Sequence, residues 1–267
     1  MKIKSVLLVG LAGFALASCG GAKGYKNNVK HTVFLEEFEK IAEESAILNP
    51  DKVYSYVLTA KDESLDVDTY IKNEKKLCEN IIESHSEQEF EFDSVNSLLH
   101  IESKSEEKYS DSSEEKVDTV NYDTQYQWDS KNLYVVDKNA KLYTKSAASL
   151  AKESIDTLAK GYITSKLASF AGKAYDSDLN FFIDKNVYTI EEKITEEDSS
   201  KTKNVKSIYQ FTLLDNGYDY YSETTIEIKE LNLTTVDKTS TSVSLRKKDV
   251  TIKSLDLGKY LDHTDLD

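Results

Sequence analysis

Proline is almost absent from this chain. Pro50 stands alone, and no Gly/Ser-rich stretch follows Gly24. Nothing therefore marks an interdomain linker, and a single domain is expected. Cysteine is equally scarce, limited to Cys19 and Cys78. The four histidines, His31, His85, His100 and His263, form no HExxH and no closely spaced ligand pair. GxSxG, GxGxxG and a glycine-rich phosphate loop are all missing. The expectation is no catalytic residue, no metal and no cofactor, hence a protein that is not an enzyme. Basic charge is also short, with 34 Lys and Arg against 48 Asp and Glu, a formal net of -14. Lysines lie scattered among acids, leaving no basic face, so nucleic acid is excluded as a partner.

Long apolar runs are missing apart from Val6 to Leu16, which is short of the roughly 20 residues a membrane-spanning helix needs. Lys2 and Lys4 precede it, and Leu16-Ala17-Ser18-Cys19 closes it. A basic start, an apolar run and small residues before a cut are the build of a secretory signal peptide. Those four closing residues resemble the lipobox of bacterial lipoproteins. The resemblance implies lipidation of Cys19, cleavage before it and acylation of the new amino terminus. It places the chain on the outer face of the bacterial cell membrane, lipid-anchored, with the membrane itself as a partner through Cys19. Gly20, Gly21 and Gly24 then give a flexible tether. The expected organisation is a signal peptide over 1–18, a lipidated tether over 19–31 and one domain over 32–267. Cleavage removes two lysines and no acid, so the mature net charge is -16. Lipidation of Cys19 leaves Cys78 with no disulfide partner.

The elements follow from periodicity. From Thr32 the positions of Val33, Phe34, Phe38, Ile41 and Ala42 are helical, stopped by Asn49-Pro50. Val53 to Thr59 reads as a strand. Thr69 to Ser84 leans helical through Ile71, Leu77, Ile81 and Ile82, with Cys78 among them as a small hydrophobe. Strands follow at 89–92, 97–103, 117–128 and 132–136. Ser146 to Phe170 is the clearest helix, with Gly161 as a weak point. Strands then resume from Asn186 to Ser254, and Asp215-Asn216-Gly217 marks a tight turn. The charged stretches Ser103 to Lys116 and Glu191 to Lys203 read as solvated hairpin ends.

The fold class expected from this order is α+β: a curved antiparallel sheet, an incomplete barrel, packed on helices. The order is similar to the LolA/LprG-like lipoprotein carriers. The amino-terminal helix, the Tyr54/Tyr56 strand and the stretch Tyr126 to Asp137 with its Leu133-Tyr134 step carry the resemblance. It implies a cavity for a lipid or other apolar ligand between sheet and helices. The inward faces then supply Tyr54, Tyr56, Leu58, Leu133, Val135, Leu158, Ile163 and Leu167 as lining. Phe211, Leu213, Tyr220 and Ile226 form the far wall. The alternative is that these residues pack a closed core, and that the chain is a surface lipoprotein making protein–protein or host contact. A carrier predicts a pocket of a few hundred Å³ with few charges. The contact reading predicts a closed core and an exposed apolar patch.

Three smaller patterns complete the reading. Glu102 shares a strand face with His100 and is placed to orient its imidazole. His85 lies seven positions after Cys78, a weak candidate for activating its thiol. Asp176-Ser177-Asp178-Leu179-Asn180 begins like a calcium loop, but Phe181 and Val187 stand where glycine and a bidentate Glu are needed. A polar turn is expected there instead.

Overall fold

The computed structural model describes residues 28–49, 52–73, 75–111, 116–128, 131–147 and 152–264. The lipobox at Leu16 to Cys19 and Pro50 lie outside the described residues. Thirteen strands form among them: β1 (Asn28–Val29), β2 (Tyr56–Lys72), β3 (Lys75–Asp93), β4 (Leu98–Asp111), β5 (Lys116–Trp128), β6 (Leu133–Asp137), β7 (Leu142–Ser146), β8 (Asn180–Asp184), β9 (Val187–Glu197), β10 (Lys201–Leu214), β11 (Gly217–Glu230), β12 (Leu233–Lys247) and β13 (Leu261–Asp262). The helices are α1 (His31–Glu44) and α2 (Lys152–Ala174). All thirteen strands join one sheet in the order β1-β8-β9-β10-β11-β12-β2-β3-β4-β5-β6-β7-β13. Every pairing is antiparallel except β13 with β7. β1 extends the sheet edge from within the segment assigned to the tether.

The expected α+β packing of a sheet on helices is corrected by this arrangement. One large, open, mixed sheet dominates, and helices cover only one end of its strands. From β2 the core takes Tyr56, Leu58 and Ala60; from β3, Phe90 and Phe92; from β4, Leu99 and Ile101. Yet β3 has 19 residues, a length of about 65 Å at about 3.4 Å per residue. Strand runs far into the charged stretches at these hairpin ends, over 103–111 in one and over 191–197 and 201–203 in the other, and this is why the sheet outgrows its cover. Facing strands provide partners for their charges: Lys61–Glu87 at 2.8 Å, Lys203–Glu196 at 3.3 Å, Lys201–Glu230 at 3.3 Å. Each exposed pair is worth a few tenths of a kcal/mol, so this half of the sheet rests on many small terms.

The helical reading of Thr69 to Ser84 is overturned. That stretch is the β2–β3 hairpin, with a register shift between Tyr70 and Ile71. Its apolar spacing fits a helix locally, but pairing on both sides of β3 with β2 and β4 prevails. Scarcity of glycine shows in the turns. Asn73, Ser97, Lys141 and Lys185 adopt positive φ of 51°, 51°, 57° and 58°. For non-glycine residues this costs on the order of 1 kcal/mol each.

Topology dictates where α2 runs. β7 and β8 lie ten strand positions apart, about 48 Å on a flat sheet, and α2 carries the chain between them. Its side chains touch successive strands. Asp156 meets Ser97 just before β4, Tyr162 meets Phe90 on β3, Phe170 meets Phe211 on β10, and Lys173 meets Glu192 on β9. From Asp156 to Lys173 a helix rises about 26 Å, close to the roughly 29 Å between β4 and β9. The helix therefore crosses the strands instead of running along them. Gly161 sits on its open side, where a Cβ would have nothing within 4 Å, and the helix continues through it.

Candidate functional site

Beneath α2 the interior is aromatic and filled. Ile155, Ala159, Ile163, Phe170 and Ala174 form the buried stripe of the helix. The alanines let the backbone approach the sheet closely enough for the Tyr56 hydroxyl to donate to the Ala159 carbonyl at 3.0 Å. Phe34 and Phe38 of α1 close the other side. Phe38 lies 5.1 Å from Phe170 and 6.2 Å from Phe211, and Phe211 stacks on Tyr218 at 5.2 Å.

The sequence-derived lining set divides three ways. Tyr54, Tyr56, Leu58, Ile163, Phe211 and Tyr220 are all buried in this one cluster, and Leu167 and Leu213 pack half-buried against it. Leu133 and Val135 lie half-buried on β6, opposite Trp128 and Tyr126, and outside the cluster. Leu158 is exposed on α2, and Ile226 lies out on β11 between Val205 and Asp237. The structure thus brings eight of the twelve together. The cluster also holds residues outside that set, among them Phe34, Phe38, Phe170, Phe181 and Tyr188. For Phe34 and Phe38 the signal was already there, in the helical spacing of the first helix.

Burial sets the chemistry of the core tyrosines. It pushes the Tyr54 hydroxyl up to about 12, and raises those of Tyr56 and Tyr218 further still above the usual tyrosine range. Each stays a neutral donor. Tyr54 donates to the Ile47 carbonyl at 2.7 Å and Tyr56 to Ala159, whereas the fully buried Tyr218 hydroxyl has no partner. The two deletions should therefore differ in sign. Tyr56→Phe is expected to lower stability by about 1 kcal/mol, and Tyr218→Phe to raise it by a similar amount. Urea unfolding of the two variants checks this; equal losses from both would mean that the Tyr218 hydroxyl is satisfied.

At the covered end of the sheet, this core meets a cleft of about 480 Å³. The loop after α1 contributes Ala46 and Ile47, the approach to β2 contributes Lys52, Val53 and Tyr54, and the β10–β11 turn contributes Asp215 and Asn216. Lys247 at the end of β12 closes it, its ammonium 5.5 Å from the Tyr54 ring centre. Ile47 and Tyr54 are buried, while Lys52, Asp215 and Lys247 are exposed at the rim. The cleft is thus apolar behind and charged in front, with two cations and one anion. Lys52 and Lys247 carry no periodicity that would mark them in the sequence, and Asp215 is legible there only as a turn residue.

The smaller patterns are also placed. Cys78 faces Tyr70 and His85 faces Glu63, on opposite faces of the sheet, so His85 does not reach the thiol. His100 Nε2 lies 3.7 Å from Glu102 but only 3.2 Å from the Gln125 amide nitrogen, the closer partner. Asp176 accepts from the Asp178 backbone N–H at 3.1 Å, an Asx turn leading from α2 to β8. Among the described residues no group of three or more His, Cys, Asp or Glu could hold a metal ion.

No family model matches the chain, and no curated protein matches it. Among solved structures, one described as lipid–protein interactions in lipovitellin is similar at 8% identity and a TM-score of 0.33, over 78% of this chain and 26% of the other. A second, assigned as an AttH from Nitrosomonas europaea, is similar at 9% identity and a TM-score of 0.20, over 76% of this chain and 53% of the other. The chain spans about a quarter of the first and about half of the second. Likenesses at this level carry no argument about what the chain binds.

Proposed function

We propose that this chain is a lipoprotein of the outer face of the cell membrane, anchored through Cys19, that binds a lipid or other apolar ligand carrying an anionic head. The observation behind this reading is the cleft beside the aromatic core. It sets Ile47, Val53 and Tyr54 behind Lys52 and Lys247. Its volume of about 480 Å³ suits a small amphiphile. An acyl chain would lie on the apolar wall while the head pairs with the lysines. The interior beneath α2 is packed, so the ligand sits at the mouth of the core and not inside it.

A fluorescent long-chain fatty acid titrated into the full-length protein tests the reading. Reversing the charge at the rim with Lys247→Glu is expected to weaken binding about tenfold, roughly 1.4 kcal/mol. Binding of the corresponding uncharged alcohol should change much less. Equal loss for both probes, or no saturable binding, would count against the cleft.

A second reading, contact with another protein, is favoured by a different observation. On the helix-bearing face, beyond the covered end, Ile194, Val205 and Ile226 lie in one row with Ile82 and Tyr109, interrupted by Asp237 and Asp66. Ile82, Tyr109 and Ile194 are exposed there. Burial and the neighbouring Asp68 and Asp237 raise the Asp66 carboxyl above its usual range. A row split by two facing carboxylates suits a polar partner surface better than an acyl chain.

A further inference from the structure

After β12 the chain does not return to the covered face. It leaves at the β12–β2 junction, where Lys248 N–H donates to Ser55 at 3.2 Å, and ends as β13 against β7 at the far edge of the sheet. From β12 to β13 it must pass seven strand spacings, about 34 Å, and the residues from Lys248 to Leu261 are long enough for that. The strap is pinned at its far end by Leu261 N–H to Lys141 at 2.9 Å, His263 N–H to Tyr143 at 2.8 Å and the Tyr143 hydroxyl to Asp262 at 2.7 Å. Its path lies on the face opposite α2. It covers His100, Gln125, Gln127 and Val136, whose strand neighbours Leu99, Ile101, Tyr126 and Trp128 point to the helix side. Val136 is fully buried although it belongs to no part of the main core.

Strap and sheet line a half-open cavity of about 630 Å³. Two polar residues on its floor are buried, Gln127 at 7% exposed and His100 at 9%. They are direct cross-strand partners on β5 and β4. The Gln125 amide nitrogen can only donate, so at 3.2 Å His100 Nε2 is the acceptor and the ring proton resides on Nδ1. His100 Nδ1 is then a buried donor without an acceptor, and Gln127 Oε1, on the facing residue, a buried acceptor without a donor. Leaving each unmet costs about 1–3 kcal/mol, so the pair calls for a group that both accepts and donates. A hydroxyl does both. Strap residues Ile252, Leu255 and Tyr260 line it together with Lys253, Asp256 and Lys259, and Glu91 and Lys138 add to the sheet side, so cations and carboxylates nearly balance.

We infer that the cavity under the carboxy-terminal strap is a binding site for a small, uncharged, polyhydroxylated molecule of sugar or inositol size. One hydroxyl accepts from His100 Nδ1 and donates to Gln127 Oε1, while the ring lies under Tyr260. This site is separate from the cleft at Tyr54 and lies on the other face of the sheet.

The test is titration of the full-length protein with a panel of neutral hexoses, N-acetylhexosamines and inositol, followed by saturation-transfer NMR and calorimetry. At least one probe should bind saturably, and Gln127→Met should weaken it about tenfold. Tyr260→Ala, a change outside the main strands, should weaken it several-fold, which guards against a folding defect in the sheet variant. The fatty-acid probe should bind both variants as it binds the parent, separating this site from the cleft. Failure of every probe to saturate overturns the proposal. So does binding that neither substitution alters, or a water bridging Nδ1 and Oε1 that no probe displaces.

Discussion

Phe170→Ala is expected to destabilise the protein by about 3–5 kcal/mol, a fall in melting temperature on the order of 10 °C or more. Phe170 is fully buried and is the point where both helices and the sheet meet. Its ring lies 5.1 Å from Phe38, 6.2 Å from Phe34 and 5.7 Å from Phe211. The neighbours are themselves large and rigid, so they collapse poorly into the space, which places the cost toward the upper end of that range. Phe170→Leu retains most of the volume and should cost much less. Because α2 crosses the strands, the loss also loosens its hold on β10 and β9, where Lys173 pairs with Glu192 at 3.1 Å. Chemical denaturation of the parent and both variants measures this. A loss from Phe170→Ala below about 1.5 kcal/mol would mean that α2 does not seal the core.

Gly217→Ala is the second large effect, with an expected cost of about 3 kcal/mol or more. Gly217 opens β11 opposite Arg246 of β12, and its φ is not positive, so the requirement is for space alone. A Cβ there would stand 1.8 Å from the Leu245 carbonyl oxygen and 2.8 Å from its carbon. Those are backbone atoms of the facing strand and have no rotamer to yield. Relief must move β12 away from β11, which disturbs the Lys247 N–H to Asn216 bond at 2.6 Å and with it two walls of the cleft. Fatty-acid binding should fall together with stability. Gly161→Ala serves as the contrast. It places a methyl in open space within a helix and is expected to stabilise by up to about 1 kcal/mol.

The sequence discloses some of this architecture and conceals the rest for reasons that can be assigned to residues. Phe34 and Phe38 announce the buried face of α1 because helical spacing is local information. The turn at Asp215-Asn216 is legible for the same reason. The stretch around Cys78 is not, since Ile71, Leu77, Ile81 and Ile82 satisfy a helical period and only pairing with β2, and from Asn80 onward with β4, decides for a strand. Lys203 and Glu196 read as solvated hairpin charges until the register places them side by side. The two cavities are harder still. Lys247, Asp215 and Tyr54 converge from separate elements, and the strap from Thr251 to Tyr260 has no periodicity to reveal that it covers His100 and Gln127. The candidate lining residues were readable as inward-facing. That they fill the interior against Phe170 and Phe211 depends on the helix crossing the sheet, and on a connection from β7 to β8 that no local window contains.

Native mass spectrometry of the full-length protein, extracted from bacterial membranes in detergent, tests the central claim of a lipid-anchored binder of an apolar ligand most directly. The predicted result is a chain beginning at Cys19, carrying covalent acyl groups and retaining one additional lipid non-covalently, with that lipid lost from the Lys247→Glu variant. A chain that carries its anchor but no second lipid, or one that keeps its first eighteen residues and bears no acyl group, would contradict it.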